Sequence, residues 1–93
     1  MTREVRASHI LVSTEAQANE LLDRIKAGAD FGDLARKHSQ CPSGKRGGDL
    51  GWFGKGQMVE EFEKAAFDAS KGSVVGPVRT QFGWHLIRIV DQR

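Results

Sequence analysis

The sequence predicts an α+β domain: a four-stranded antiparallel sheet covered by helices, in the order β-α-α-β-α-β-β. Three observations carry this reading. Segments that alternate with period two open and close the chain, and segments with helical spacing lie between them. Strands and helices do not alternate regularly enough for a parallel, doubly wound sheet. The last two strands are joined by only a short turn-like stretch, Thr80-Gln81-Phe82-Gly83, which makes them a hairpin.

Residues 4–12 form the first strand. Val5, Ala7, His9 and Leu11 share one face, and Arg6, Ser8, Ile10 and Val12 share the other. Its far end is apolar on both faces, which suits a central place in the sheet. Thr14-Glu15-Ala16-Gln17 has the pattern of a capping box and opens a helix whose apolar stripe is Ala18, Leu21, Leu22 and Ile25. Gly28 stops it. Asp30 caps a second helix with the stripe Phe31, Leu34, Ala35 and His38. From Ser39 to Gly56 the chain reads as a loop holding a short strand at Leu50–Phe53. Gly44, Gly47, Gly48, Gly51, Gly54 and Gly56 crowd this segment, so backbone geometry has taken precedence over local stability. Helical spacing returns over Met58–Ala69, with Val59, Phe62 and Ala66 as the stripe and Glu60 and Lys64 placed for an i, i+4 ion pair. Val74–Arg79 is a strand that Pro77 assigns to a sheet edge. Trp84–Asp91 is the last strand, with His85, Ile87 and Ile89 on one face.

The 93 residues suffice for one domain, expected to span 1–93, and for a modest core. A 39% hydrophobic and 28% charged composition is that of a folded soluble domain, and a net charge of +2 excludes a chain held open by self-repulsion. The single cysteine excludes an intramolecular disulfide framework and a Cys-rich zinc site. No apolar run reaches the about 18 residues that a spanning helix needs. Met1-Thr2-Arg3-Glu4-Val5-Arg6 leads into strand-like sequence without the apolar stretch of a signal peptide. A cytoplasmic monomer is therefore expected, unless the chain is a domain of a longer one. Fourteen Lys and Arg against twelve Asp and Glu do not by themselves imply a nucleic-acid partner.

Four features could carry chemistry. His9 and His85 occupy strand interiors, where an imidazole needs partners for its nitrogens; each could equally be a satisfied core histidine. No metal site is expected, since His38 is the only other histidine and lies on a helix stripe. Cys41 could be a nucleophile beside a histidine or a small buried hydrophobe; it does not read as part of a helix N-terminal turn. The glycine-rich stretch Gly44-Lys45-Arg46-Gly47-Gly48-Asp49-Leu50-Gly51 fails as a phosphate loop, because no Gly-Lys-Ser/Thr closes it and no helix follows in place. Leu50, Trp52, Phe53, Met58, Phe62 and Phe82 supply apolar and aromatic surface beside it, suited either to core or to an adaptable apolar pocket.

Taken in order, these features resemble one family. The runs His9-Ile10-Leu11-Val12, Phe31-Gly32-Asp33-Leu34-Ala35, Cys41-Pro42-Ser43-Gly44-Lys45-Arg46-Gly47-Gly48-Asp49-Leu50-Gly51, Gly56-Gln57-Met58-Val59 and Gly76-Pro77-Val78-Arg79-Thr80-Gln81-Phe82-Gly83-Trp84-His85 are similar to those of the parvulin-type peptidyl-prolyl cis/trans isomerases. The resemblance runs from about Val5 to Ile89 and implies an FKBP-like α+β fold, a stand-alone isomerase of X-Pro bonds and no cofactor. It implies that His9, His85, Thr80 and Cys41 form the polar floor of the site. Leu50, Met58 and Phe62 would hold the proline ring, with Gln57 and Phe82 lining the walls. Its partners would be proline-containing polypeptides, with no membrane and no nucleic acid. Where phosphate-directed members carry a basic loop after the first strand, this chain has Ser13-Thr14-Glu15, so selectivity for phosphoserine-proline is not expected. Trp84 stands where another aromatic or aliphatic residue is usual. The competing readings are a non-catalytic module or chaperone that grips proline segments, and a basic domain resting on Arg36, Lys37, Lys45, Arg46 and Lys55.

Overall fold

The computed structural model describes residues 2–93. Its elements are β1 (Glu4–Val12), α1 (Glu15–Lys26), α2 (Phe31–His38), a short 3-10 helix (Pro42–Arg46), β2 (Asp49–Gly54), α3 (Glu60–Asp68), β3 (Val74–Thr80) and β4 (Gly83–Gln92). The sheet is antiparallel throughout, in the order β2-β1-β4-β3. The first and last strands of the chain thus become the two central strands of the sheet. Pro77, which cannot donate to a ladder, falls on the edge strand β3. The Gly76-Pro77 peptide is cis.

The sheet carries an apolar layer on each face. Ile10, Val12 and Leu86 pack against Ala18, Leu21, Phe31, Leu34 and Ala35 of α1 and α2. Val5, Ala7, Ile87 and Ile89 pack on the other face against Phe53 and against Phe62 and Ala66 of α3. The alternation read in β1 and β4 therefore sorts side chains between two helical layers. Both helix caps form as expected: Gln17 N–H donates to Thr14 Oγ1 at 3.2 Å and Asp33 N–H to Asp30 Oδ2 at 2.9 Å.

Four local expectations are corrected. The segment after Ser39 is not wholly loop: Pro42 starts a single 3-10 turn, closed by Gly47 in the left-handed conformation at φ 69°. Helix α3 begins at Glu60, so Met58 and Val59 lie in the extended approach to it. The turn from Gly54 to Val59 is held instead by side chains folded onto the backbone, with Gly54 N–H donating to Gln57 Oε1 at 2.9 Å and Gly56 N–H to Glu63 Oε1 at 2.5 Å. The Glu60–Lys64 pair is not closed; on α1, Arg24 and Glu20 form such a pair at 2.7 Å. Thr80 ends β3 rather than lying in the turn.

Candidate active site

Residues 39–48 run beside β1 and determine the site. Where β2 stops pairing at Ser8–Asp49, this segment takes over the exposed edge of β1. His9 N–H donates to Gly48 O at 2.9 Å, Gln40 N–H to Leu11 O at 2.8 Å, and Leu11 N–H to Ser39 Oγ at 3.1 Å. Gly48 is indispensable to this contact. Its φ is +86°, and a Cβ there would stand 2.3 Å from His9 O. The result places Cys41, Pro42 and Ser43 next to the histidine face of β1.

The register of β1 on β4 pairs His9 with Ile87 and Leu11 with His85, so the two histidines are diagonal neighbours on one face. Their Nδ1 atoms are 3.0 Å apart. His85 Nε2 lies 2.7 Å from Thr80 Oγ1, and His9 Nε2 lies 3.1 Å from Ser43 Oγ. Phe82 N–H donates to Thr80 Oγ1 at 3.2 Å. Ser43, His9, His85, Thr80 and the Phe82 amide thus form one hydrogen-bonded chain, buried from Ser43 to Thr80.

The chain restricts the tautomers. A neutral imidazole carries one N–H, and a bond between two Nδ1 atoms needs one donor and one acceptor. If His9 donates, its Nε2 accepts from Ser43 and His85 Nε2–H donates to Thr80. If His85 donates, the three imidazole bonds reverse: His9 Nε2–H donates to Ser43, and Thr80 donates to His85, while the Phe82 amide still donates to Thr80. The neutral pair satisfies all partners in either state, and two charged rings would leave Nδ1–H facing Nδ1–H. Burial, and secondarily the neighbouring His85, hold the His9 pKa down to about 4; burial also lowers that of His85.

This has a consequence for stability. An unfolded His9 takes up a proton near pH 6.5, whereas the folded one refuses it until about pH 4. Protonation therefore favours the unfolded chain as pH falls through this window, and stability is greatest above it. Between pH 7.5 and 5, His9 alone is expected to remove about 2 kcal/mol, with His85 adding in the same direction. Urea unfolding at the two pH values checks this; equal stability at both would mean that one ring is charged in the fold.

Over the histidine pair opens a cavity of about 490 Å³. It brings together eight of the nine expected site residues: His9, Cys41, Leu50, Gln57, Met58, Phe62, Phe82 and His85. Thr80 lies beneath it, bonded to His85. Phe62 sets its edge against both imidazoles, 5.5 Å from His9 and 5.3 Å from His85 between ring centres, at 84° and 80°. Phe82 stands on the rim, 60% exposed. Met58 and Phe62 both reach the cavity, although not from one helical turn as their spacing suggested.

Cys41 takes a different place from the one expected. It lines the cavity and immediately precedes the 3-10 helix, and Ser43, not Cys41, bonds to the histidine pair. Ser43 escaped the sequence reading because its contact depends on how residues 39–48 lie along β1. Leu11, Gln40, Pro42 and Val59 also line the cavity. Leu11 was legible, since it lies two residues from His9 on the same strand face.

An apolar cavity over a buried, fully bonded histidine pair, on a sheet with helices on both faces, makes this the candidate active site of the chain. The PPIC-type PPIase domain model matches residues 1–93, and the chain belongs to that family. It is 49% identical over 90 residues to the foldase protein PrsA of Geobacillus kaustophilus, covering 96% of this chain and 32% of the relative. It superposes on the peptidylprolyl isomerase PrsA of Bacillus anthracis with a TM-score of 0.96 at 41% identity, covering 99% of this chain and 43% of the other. On NmPin, the parvulin of Nitrosopumilus maritimus, the TM-score is 0.86 at 40% identity, with 96% and 97% covered. The chain thus spans about a third of the length of the PrsA foldases it matches and nearly all of a small parvulin.

Proposed function

We propose that the cavity holds the proline ring of a flexible polypeptide and accelerates rotation about the preceding bond without forming a covalent intermediate. The observation that carries this is the apolar cavity bounded by Leu50, Met58 and Phe62 directly above the His9–His85 pair. Peptide rotation crosses a barrier of about 18–20 kcal/mol because amide resonance is lost at the twisted geometry. At X-Pro bonds the two isomers differ by only about 0.5–1 kcal/mol, so a catalyst need only lower the barrier. Leu50, Met58 and Phe62 fix the ring while the preceding carbonyl turns. The twisted amide has lost the charge separation of the planar one, so a dry, apolar site favours it over the ground state, which is differential binding of the transition state.

The histidines act as a neutral floor in this reading. Their tautomers interconvert by a concerted shift along the Ser43–His9–His85–Thr80 chain, so the floor adapts its dipoles without acquiring charge. Cys41 lends polarizable surface to the wall. The substrates are proline-containing segments of unfolded or flexible chains, with no preference for a phosphate before proline. Binding without turnover, as in a chaperone, is the alternative; the complete pocket and bonded floor favour catalysis. The placement as a cytoplasmic monomer rests on the sequence, and cell fractionation and sedimentation test it.

A proline-limited refolding assay tests the activity directly, because the uncatalysed phase takes tens to hundreds of seconds. The non-covalent route makes a separate prediction. Cys41→Asp should keep turnover within about tenfold of wild type, because an aspartate wall still leaves the ring pocket and the histidine pair intact. A folded Cys41→Asp protein slowed a thousandfold would instead establish Cys41 as a nucleophile.

A further inference from the structure

Ser8 and His9 are consecutive in β1, so their side chains lie on opposite faces of the sheet. On the Ser8 face a further cavity of about 360 Å³ opens beyond the start of α2. It is lined by Arg6, Ser8 and Arg88 of the sheet, by Gly32 and Arg36 of α2, and by Arg46 at the end of the 3-10 turn, among others. The register puts Ser8 between Asp49 and Arg88 on its two neighbouring strands.

Four guanidiniums and two carboxylates, Asp30 and Asp49, line this groove. Both carboxylates have local duties. Asp30 Oδ2 accepts from Asp33 N–H, and Asp49 Oδ1 accepts from Gly51 N–H at 3.0 Å while Oδ2 reaches Arg6 at 3.4 Å. Arg36 pairs with Asp33 at 2.8 Å. Its guanidinium lies over bare backbone: a Cβ at Gly32 would stand 3.6 Å from Nη1, and one at Gly47 3.4 Å from Nη2. Among the described residues, Arg46 and Arg88 pair with no carboxylate; Arg88 stacks over Phe31 at 5.2 Å. Ser8 is only 4% exposed and forms the floor of the groove between them. Two guanidiniums without a carboxylate partner, beside a third that reaches its own only at 3.4 Å, leave the groove with donors to spare.

We propose that this groove binds carboxylates of an acidic polypeptide segment. The planar guanidinium fork of Arg46 and of Arg88 matches a carboxylate. Asp30 and Asp49 in the lining oppose a densely charged polyphosphate while tolerating single carboxylates. Taken with the isomerase reading, on which this clause alone rests, an acidic segment held here raises the local concentration of its own prolines at the cavity on the opposite face.

The test uses a labelled, proline-free peptide carrying four glutamates, titrated at low salt into the full chain and followed by backbone amide shifts. Shifts at Ser8, Gly32, Gly47 and Arg88, with few at His9 and Met58, are expected. Arg46→Gln, at an exposed position, should weaken binding about tenfold, the value of one charge-assisted contact, while leaving turnover of a short uncharged proline peptide unchanged. Binding that survives Arg46→Gln, equal binding of the glutamine analogue, or shifts confined to the histidine face would overturn the proposal. Stronger binding at the same amides by inorganic phosphate or a single-stranded oligonucleotide would replace the carboxylate with a phosphate ligand. Because the readout is binding, loss of isomerase activity and loss of this site are told apart.

Discussion

Gly48→Ala is expected to destabilise the fold by about 4 kcal/mol or more and to remove most isomerase activity from whatever remains folded. The left-handed backbone at φ +86° costs an L-residue about 1–2 kcal/mol. The larger part is steric, because the new methyl would stand 2.3 Å from His9 O and 3.1 Å from His9 N, which are backbone atoms of a central strand and cannot yield cheaply. Relief requires residues 43–48 to draw back, which breaks the His9 N–H···O=C Gly48 bond and carries Ser43 away from His9 Nε2. Gly51→Ala supplies the comparison. It has the same unfavourable hand, φ +70°, but nothing within 4 Å of the added methyl, so it should cost only about 1 kcal/mol. Thermal melts of the two should differ by more than about 10 °C in a domain of this size. Equal melting temperatures would show that close contact with β1 does not fix the loop.

That contrast also marks how far the sequence could be read. Six glycines in the segment announced special backbone geometry, but nothing local distinguishes Gly48, pressed on His9, from Gly51, which faces open space. The difference arises only when residues 39–48 take the edge of β1 beyond the end of β2. Ser43 was missed for the same reason: its partner is 34 residues away and on another element. Period-two alternation put His9 and His85 in strand interiors, but β1 and β4 are the first and last strands and share no hairpin, so their pairing was expected only from the family resemblance. Cys41 was read as part of the polar floor on resemblance alone, and its wall position follows from the 3-10 turn that Pro42 begins. The start of α3 was misread because Met58 and Phe62 both point toward the cavity, and a shared destination at i, i+4 imitates a helical face. The arginine groove was not legible at all, since Arg6, Arg36, Arg46 and Arg88 come from four segments and meet only through the register of β1 with β2 and β4.

The second large effect concerns Phe62, which belongs at once to the core and to the cavity. Phe62→Ala should cost about 3–5 kcal/mol, the usual range for emptying a buried phenyl site, and that is a large fraction of the about 5–15 kcal/mol that holds a domain together. Its loss of turnover would therefore be ambiguous, and Phe62→Leu is the decisive variant. Leucine keeps most of the apolar volume against Phe53 and Ala66 and should remain folded. It cannot keep the two edge contacts at 5.5 and 5.3 Å, which cover one side of His9 and His85 with apolar surface. Turnover of a short proline peptide should fall about tenfold, the combined value of two aromatic contacts of about 0.5–1.5 kcal/mol each. A purely structural role for Phe62 would leave a second observable unmoved. With water admitted to the imidazoles, the burial that holds His9 at about 4 is relieved, and its titration should move up toward 6.5. Met58→Ala, at a half-buried position outside α3, should lower turnover with little change in stability and leave the His9 titration in place. Wild-type turnover in both folded variants would exclude this cavity as the seat of the proline ring. Reduced turnover in both, with the His9 shift only in Phe62→Leu, separates the part of the site that grips the ring from the part that keeps its floor dry and neutral.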